Sequence, residues 1–272
     1  DPAGDRVRVG GGCTWGDVDH ATHPFGLAVP AGIISTTGVG GLTLGGALGH
    51  LTRRYGLTID NLLSADVVTA DGRVLVASAN DHPDLFWAIR GGGGNFGVVT
   101  SFLFRAHRVR EVVAGPMLWR VEDAPAVMRW YRDFITTAPE DLNGFFAFLG
   151  VPPGPPFPEV LHTKTVCGIV WCWTGPTAAA QRWLDKARTV APPVFEHVGP
   201  MPYPTLQSLF DPILPPGMQW YWRADFVDQL PDEAIARHVE HGSRLPSWRS
   251  TMHLYPINGA AARVGATDTP WA

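Results

Sequence analysis

The chain has 272 residues, 45% of them apolar and 17% charged, with a formal charge of −4. That balance excludes a disordered chain, and the lack of Lys/Arg clusters excludes a nucleic-acid-binding surface. No apolar run reaches bilayer-spanning length, so no membrane partner is expected, and three cysteines make no disulfide framework and fit a reducing, cytoplasmic compartment.

In chain order, Arg6-Val7-Arg8-Val9 alternates as a short strand. Thr14 and Asp17 have the spacing of a capping box, and Trp15, Val18, Ala21, Thr22 and Phe25 follow at helical spacing. Leu27-Ala28-Val29 reads as a brief strand closed by Pro30. Two further strands, 64–70 and 73–78, flank Asp71-Gly72, a pair favoured in type I′ turns. Residues 83–89 open a short helix with Pro83 in its first turn, and 98–104 read as a buried strand. Beyond about residue 110 tryptophan becomes frequent. Helices are expected at 124–136, 176–190 and 231–241, the last closed by Gly242. Strands are expected at 145–149, 161–173, 219–228 and 250–257, with a stiff proline-rich connection over 151–158. This order implies an α+β lobe with a mainly antiparallel sheet and helices on one face. Cys167 and Cys172, five apart on one strand, are expected on opposite faces as small core residues. His20 and His23 have a possible metal-binding spacing but no third ligand, so no metal is expected.

Residues 31–50 carry glycine at 32, 38, 40, 41, 45, 46 and 49. Ordinary helices and strands avoid that density, because each glycine costs roughly 0.5–1 kcal/mol against alanine. Two readings remain open from spacing alone. One is a bend that needs close backbone packing. The other is a loop whose bare amides at Thr36-Thr37-Gly38-Val39-Gly40-Gly41 take a pyrophosphate, with a helix beginning near Leu42. The loop lacks the terminal Gly-Lys-Ser/Thr of a nucleotide-hydrolysing phosphate loop, and it does not match the Gly-x-Gly-x-x-Gly dinucleotide fingerprint.

Four segments together carry a resemblance. They are Gly10-Gly11-Gly12-Cys13-Thr14-Trp15-Gly16-Asp17-Val18, 38–46, 55–62 and Asp84–Thr100, the last holding the run Gly91-Gly92-Gly93-Gly94-Asn95-Phe96-Gly97. In this order they resemble the second half of the FAD-binding domain of the berberine bridge enzyme-like FAD-linked oxidases, a branch of the vanillyl-alcohol oxidase/PCMH superfamily. Residues 115–272 resemble that family's substrate lobe more loosely, through 253–261.

The resemblance implies a PCMH-type FAD-binding subdomain over 1–110 and a substrate lobe over 111–272. It implies an oxidase that passes hydride from a small-molecule substrate (an alcohol, sugar or secondary metabolite) to FAD and then to O2. Thr36, Thr37, Gly38, Val39, Gly40 and Gly41 would surround the pyrophosphate and ribityl chain. Gly45, Gly46, Gly49 and His50 would lie along the flavin, and Gly97 and Val99 would meet adenine through the backbone. Tyr221, Trp222, Tyr255 and Asn258 would line the substrate, with Tyr221 as candidate proton acceptor.

The family's upstream Gly-Gly-Gly-His-Ser loop, whose histidine bonds the flavin, has no counterpart here. Ile34 stands where many members carry a second anchoring cysteine, and the family's C-terminal Asn-rich strand is missing. A fragment of a longer enzyme is therefore expected. The competing reading is a flavin-free binding or structural protein derived from the fold.

Overall fold

The computed structural model describes residues 1–271, and they form two compact units. The first holds Asp1–Val112, Met201–Asp211 and the chain from Ile257 onward; the second holds Val113–Pro200 and Pro212–Pro256. The first unit therefore includes two stretches that lie beyond residue 200 in the sequence.

The first unit opens with β1 (Arg6–Gly10) and α1 (Trp15–Thr22). The capping box at the start of α1 is formed: Asp17 N–H donates to Thr14 Oγ1 at 3.3 Å, and Thr14 N–H to Asp17 Oδ2 at 2.8 Å. These bonds to the charged form hold the Asp17 carboxyl below the usual carboxylate range. After β2 (Leu27–Ala28) come α2 (Val39–Leu44), α3 (Thr52–Tyr55), β3 (Leu62–Val68) and β4 (Val74–Ser78). Next are α4 (Pro83–Ala88), β5 (Val98–Arg105) and β6 (His107–Arg108). An antiparallel four-stranded sheet has the order β1-β5-β3-β4, and β2 pairs with β6. Trp15 and Val18 of α1 pack on its inner face with Phe102, Phe104, Ala65 and Val67.

The β3–β4 hairpin differs from the expected type I′ turn. Thr69 N–H donates to Arg73 C=O, Gly72 N–H to Thr69 C=O, and within the turn only Gly72 has positive φ, at 82°. This is a three-residue loop closed by a left-handed glycine, which needs one positive φ where type I′ needs two.

The second unit is built on β7 (Glu111–Arg120), α5 (Ala124–Thr137), β8 (Leu142–Gly150), β9 (Thr165–Trp173), α6 (Thr177–Arg188), β10 (Phe195–Glu196) and β11 (Gly199–Pro202). Then α7 (Tyr203–Gln207) returns to the first unit, while α8 (Asp232–Gly242) and β12 (Thr251–Leu254) complete the second. The strand order is β10-β7-β9-β8-β12, with β11 also on β7. Cys167, Ile169, Trp171 and Trp173 alternate onto one face, where α5, α6 and α8 cover them through Tyr131, Phe134, Leu184 and Ile235. Cys172 lies on the other face, and all three cysteines are free.

The expected strand at 219–228 is absent: that stretch is irregular, and Tyr221, Trp222, Phe226 and Val227 are exposed. Alternation alone does not make a strand, which also needs a neighbour for its N–H and C=O groups. The paired edges of β8 are taken by β9 and β12. Gly242 lies inside α8, whose C-cap is Ser243. Among the described residues no helix is long and apolar enough to cross a membrane.

Candidate functional site

In the first unit the loop 36–41 lies beside the Gly10–Cys13 turn. An isolated antiparallel bridge joins Thr14 to Gly38, with Trp15 N–H donating to Thr37 C=O at 3.0 Å and Val39 N–H to Cys13 C=O at 2.8 Å. Helix α2 begins at Val39, earlier than expected, and is finished by Gly45. The reason is the Val39 side chain. It is fully buried in the core and nails the first turn in place.

No side chain caps α2, and among the described residues the N–H groups of Gly40 and Gly41 in its first turn meet no acceptor. Gly38 has φ −67° and ψ 136°, a conformation open to any residue. A Cβ added at Gly38 or Gly41 would meet nothing within 4 Å, and both residues are exposed. Neither backbone strain nor internal packing calls for glycine there. What their absent side chains leave is an open run of main chain with free donors. That is what a dinucleotide's diphosphate requires, so the residues present fit FAD.

Other expected contacts have different surroundings. Thr36 and Gly45 are exposed and Thr37 is half-buried. A Cβ at Gly49 would stand 1.9 Å from Ala31 C=O, so that glycine is required by packing. Gly46, with φ 101°, is covered by the Trp271 ring, and His50 is buried. Burial alone drives the His50 imidazole down to about 3, keeping it neutral. Gly97 lets the chain pass Val68 C=O, 2.6 Å from where its Cβ would be, and Val99 is a core residue.

Three bare positions escaped the sequence reading as site residues. Gly12, Gly93 and Gly94 also have nothing within 4 Å of a built Cβ, and Gly93 N–H ties the second glycine run to Leu44 C=O at 3.0 Å. The signal was in the runs 10–12 and 91–94 themselves, but sequence does not separate a glycine kept for packing from one kept for a ligand.

The expected substrate residues divide between the two units. Tyr221 and Trp222 are 88% and 66% exposed on irregular backbone. Asn258 belongs to the first unit, where its Oδ1 accepts from Arg53 Nε at 2.6 Å. Tyr255, in the second unit, stacks on Phe145 and lies 2.8 Å through its hydroxyl from His253 Nδ1. Burial pushes the Tyr255 phenol up and His253 down to about 4, so both are neutral near pH 7.

Residues 1–78 match the FAD binding domain family. An FAD-linked oxidoreductase of Dictyostelium discoideum is 34% identical over 229 residues, covering 84% of this chain and 48% of that protein. The crystal structure of 6-hydroxy-D-nicotine oxidase from Arthrobacter nicotinovorans superposes with a TM-score of 0.68 at 31% identity, over 78% of this chain and 46% of the other. A berberine bridge enzyme variant described as a reticuline dehydrogenase shares the fold, with a TM-score of 0.80 at 21% identity over 99% of this chain and 55% of its own. The chain therefore spans about half the length of the relatives it matches. Residues 1–78 thus carry a match to an FAD binding domain, the chain has FAD-linked oxidoreductases among its relatives, and its fold is that of a berberine bridge enzyme.

Proposed function

We propose that residues 36–41 hold the diphosphate of FAD, and that the protein containing this chain oxidises a small organic molecule with O2 as final acceptor. The observation that carries this reading is the pair Gly38 and Gly41, which the chain's own packing and backbone leave unexplained. When bound, FAD supplies a two-electron acceptor for hydride. One relative is named a 6-hydroxy-D-nicotine oxidase, which supports a small organic substrate; an alcohol, a sugar and a secondary metabolite are the candidate classes.

In this reading the N–H groups of Gly38, Gly40 and Gly41 and the hydroxyls of Thr36 and Thr37 bind the diphosphate, while Val39 anchors the loop. Gly45, Gly46, Gly49 and His50 form the wall beyond it, and Gly97 and Val99 meet adenine through the main chain. Tyr221, Trp222, Tyr255 and Asn258 are the side chains assigned to the substrate. We move the proton acceptor from Tyr221, which stands in solvent, to Tyr255. The Tyr255 hydroxyl lies 2.8 Å from His253 Nδ1, which fixes the direction of its ring within the second unit.

The test is to titrate the purified chain with FAD, following quenching of flavin fluorescence, and to screen alcohols, sugars and cyclic amines for peroxide release in air. Saturable FAD uptake is expected of the chain, and substrate-dependent peroxide of the longer protein that contains it. A folded chain that takes up no FAD would sink this reading in favour of a flavin-free binding protein.

A further inference from the structure

The segment 201–211 returns to the first unit and grips the chain just ahead of the open loop. Asp211 holds Ser35 twice: Ser35 N–H donates to Oδ1 at 3.0 Å, and Ser35 Oγ–H to Oδ2 at 2.5 Å. The Ser35 carbonyl accepts Gly16 N–H at 2.8 Å, so each polar group of this residue is tied. Gln207, fully buried, donates from Nε2 to Gly32 C=O at 2.6 Å and accepts the Tyr203 hydroxyl on Oε1 at 2.8 Å.

Residues 32–37 form neither helix nor strand. Without external ties, such a stretch running into Gly38 would sample many backbone conformations, and each ordered residue costs roughly 1–2 kcal/mol of entropy. The ties of Asp211 and Gln207 come from far along the sequence and fall on the residues leading into Thr36. A carboxylate there would oppose an anion. Here both its oxygens accept from Ser35, and its charge is spent on the loop.

We propose that Asp211 and Gln207 are positioning residues that hold residues 32–37 so that the amides of Gly38, Gly40 and Gly41 converge on the diphosphate of FAD. The proposal rests on the reading of 36–41 as the diphosphate site. Neither residue need touch the cofactor.

The experiment compares FAD with riboflavin, which has the ring but no phosphate, in fluorescence titrations of the whole chain. Wild type, Asp211→Ala, Asp211→Asn and Gln207→Leu are measured, with folding checked by circular dichroism. Wild type should prefer FAD. Asp211→Ala should weaken FAD about ten-fold, the size expected for losing a hydrogen bond to a charged group, while riboflavin binding stays unchanged. Gln207→Leu should do the same, and Asp211→Asn, which keeps one acceptor oxygen, should recover part of the loss. Should Asp211→Ala not fold, Ser35→Ala removes only the hydroxyl tie and should show the same selective loss. Equal weakening of both ligands, or none, overturns the positioning role. A wild-type chain with no preference for FAD over riboflavin overturns the diphosphate reading first, and the positioning role with it.

Discussion

Gly41 and Gly49 are glycine for opposite reasons. Gly49 is pressed against Ala31 C=O, whereas Gly41 faces open space from inside a helix. Alanine at 41 suits the helix better by up to about 1 kcal/mol, but its methyl group would stand over the amides. Gly41→Ala is therefore expected to leave the melting temperature equal or higher while weakening FAD binding at least about ten-fold, read by thermal denaturation beside fluorescence titration. A parallel loss of stability would show the glycine to be structural. Asp19 presents a second single-residue case. It is buried on α1, its Oδ2 has no hydrogen-bond partner, and burial raises its carboxyl to about 7. Its folded value thus exceeds the usual one near 4, so its contribution is intact below about pH 4 and is lost as pH rises through 7. Asp19→Asn should flatten that decline and stabilise the chain at pH 8 by up to a few kcal/mol, measured by urea denaturation at pH 5 and 8. Equal pH slopes in both proteins would place the charge in water.

Elements with strong local signals were legible in the sequence. The capping box at Thr14 and Asp17, the alternation of β9 and the amphipathic α5 are each decided by neighbours a few residues away. What escaped depended on distant partners. The stretch 219–228 alternates like a strand yet has no strand to pair with, and α2 begins early because Val39 finds a core built from β1, β3 and β5. The glycine loop stood out in the sequence as a candidate site, but Asp211 and Gln207 did not, because nothing around either residue reveals a bond to position 35 or 32. Contacts between elements also set tight limits. Gly242 of α8 lies against Phe148 of β8, whose Cδ2 would be 2.3 Å from an added Cβ, and Phe148 is fully buried. Gly242→Ala should cost about 1–3 kcal/mol by overpacking, checked by chemical denaturation; a neutral result would mean α8 shifts freely on the sheet.

For the chain as a whole, stability is unevenly spread. Two cores, one on each unit's sheet, account for most buried apolar residues, while 214–231 contribute exposed aromatic and aliphatic side chains and almost no regular backbone. Segments with few buried contacts open at low free energy. Brief chymotrypsin treatment should therefore cut first after Trp220, Tyr221, Trp222 or Phe226, leaving one large N-terminal product and one small C-terminal product by mass spectrometry. First cleavage within 165–173 would contradict the fold. The chain matches about half of its relatives' length, and the oxidation is proposed for the whole protein that contains it.

The three thiols differ in a way that gives an experimental handle. Burial raises the Cys167 and Cys172 thiols to about 12 and seals them in the sheet, while Cys13 is half-exposed and offers its carbonyl to Val39. Thiolate reagents attack accessible, ionisable sulfur, so maleimide should modify the native chain once, at Cys13. A fluorophore placed there would sit against the loop's hinge without any engineered cysteine, and FAD arriving at Gly38 should slow its attachment or change its emission.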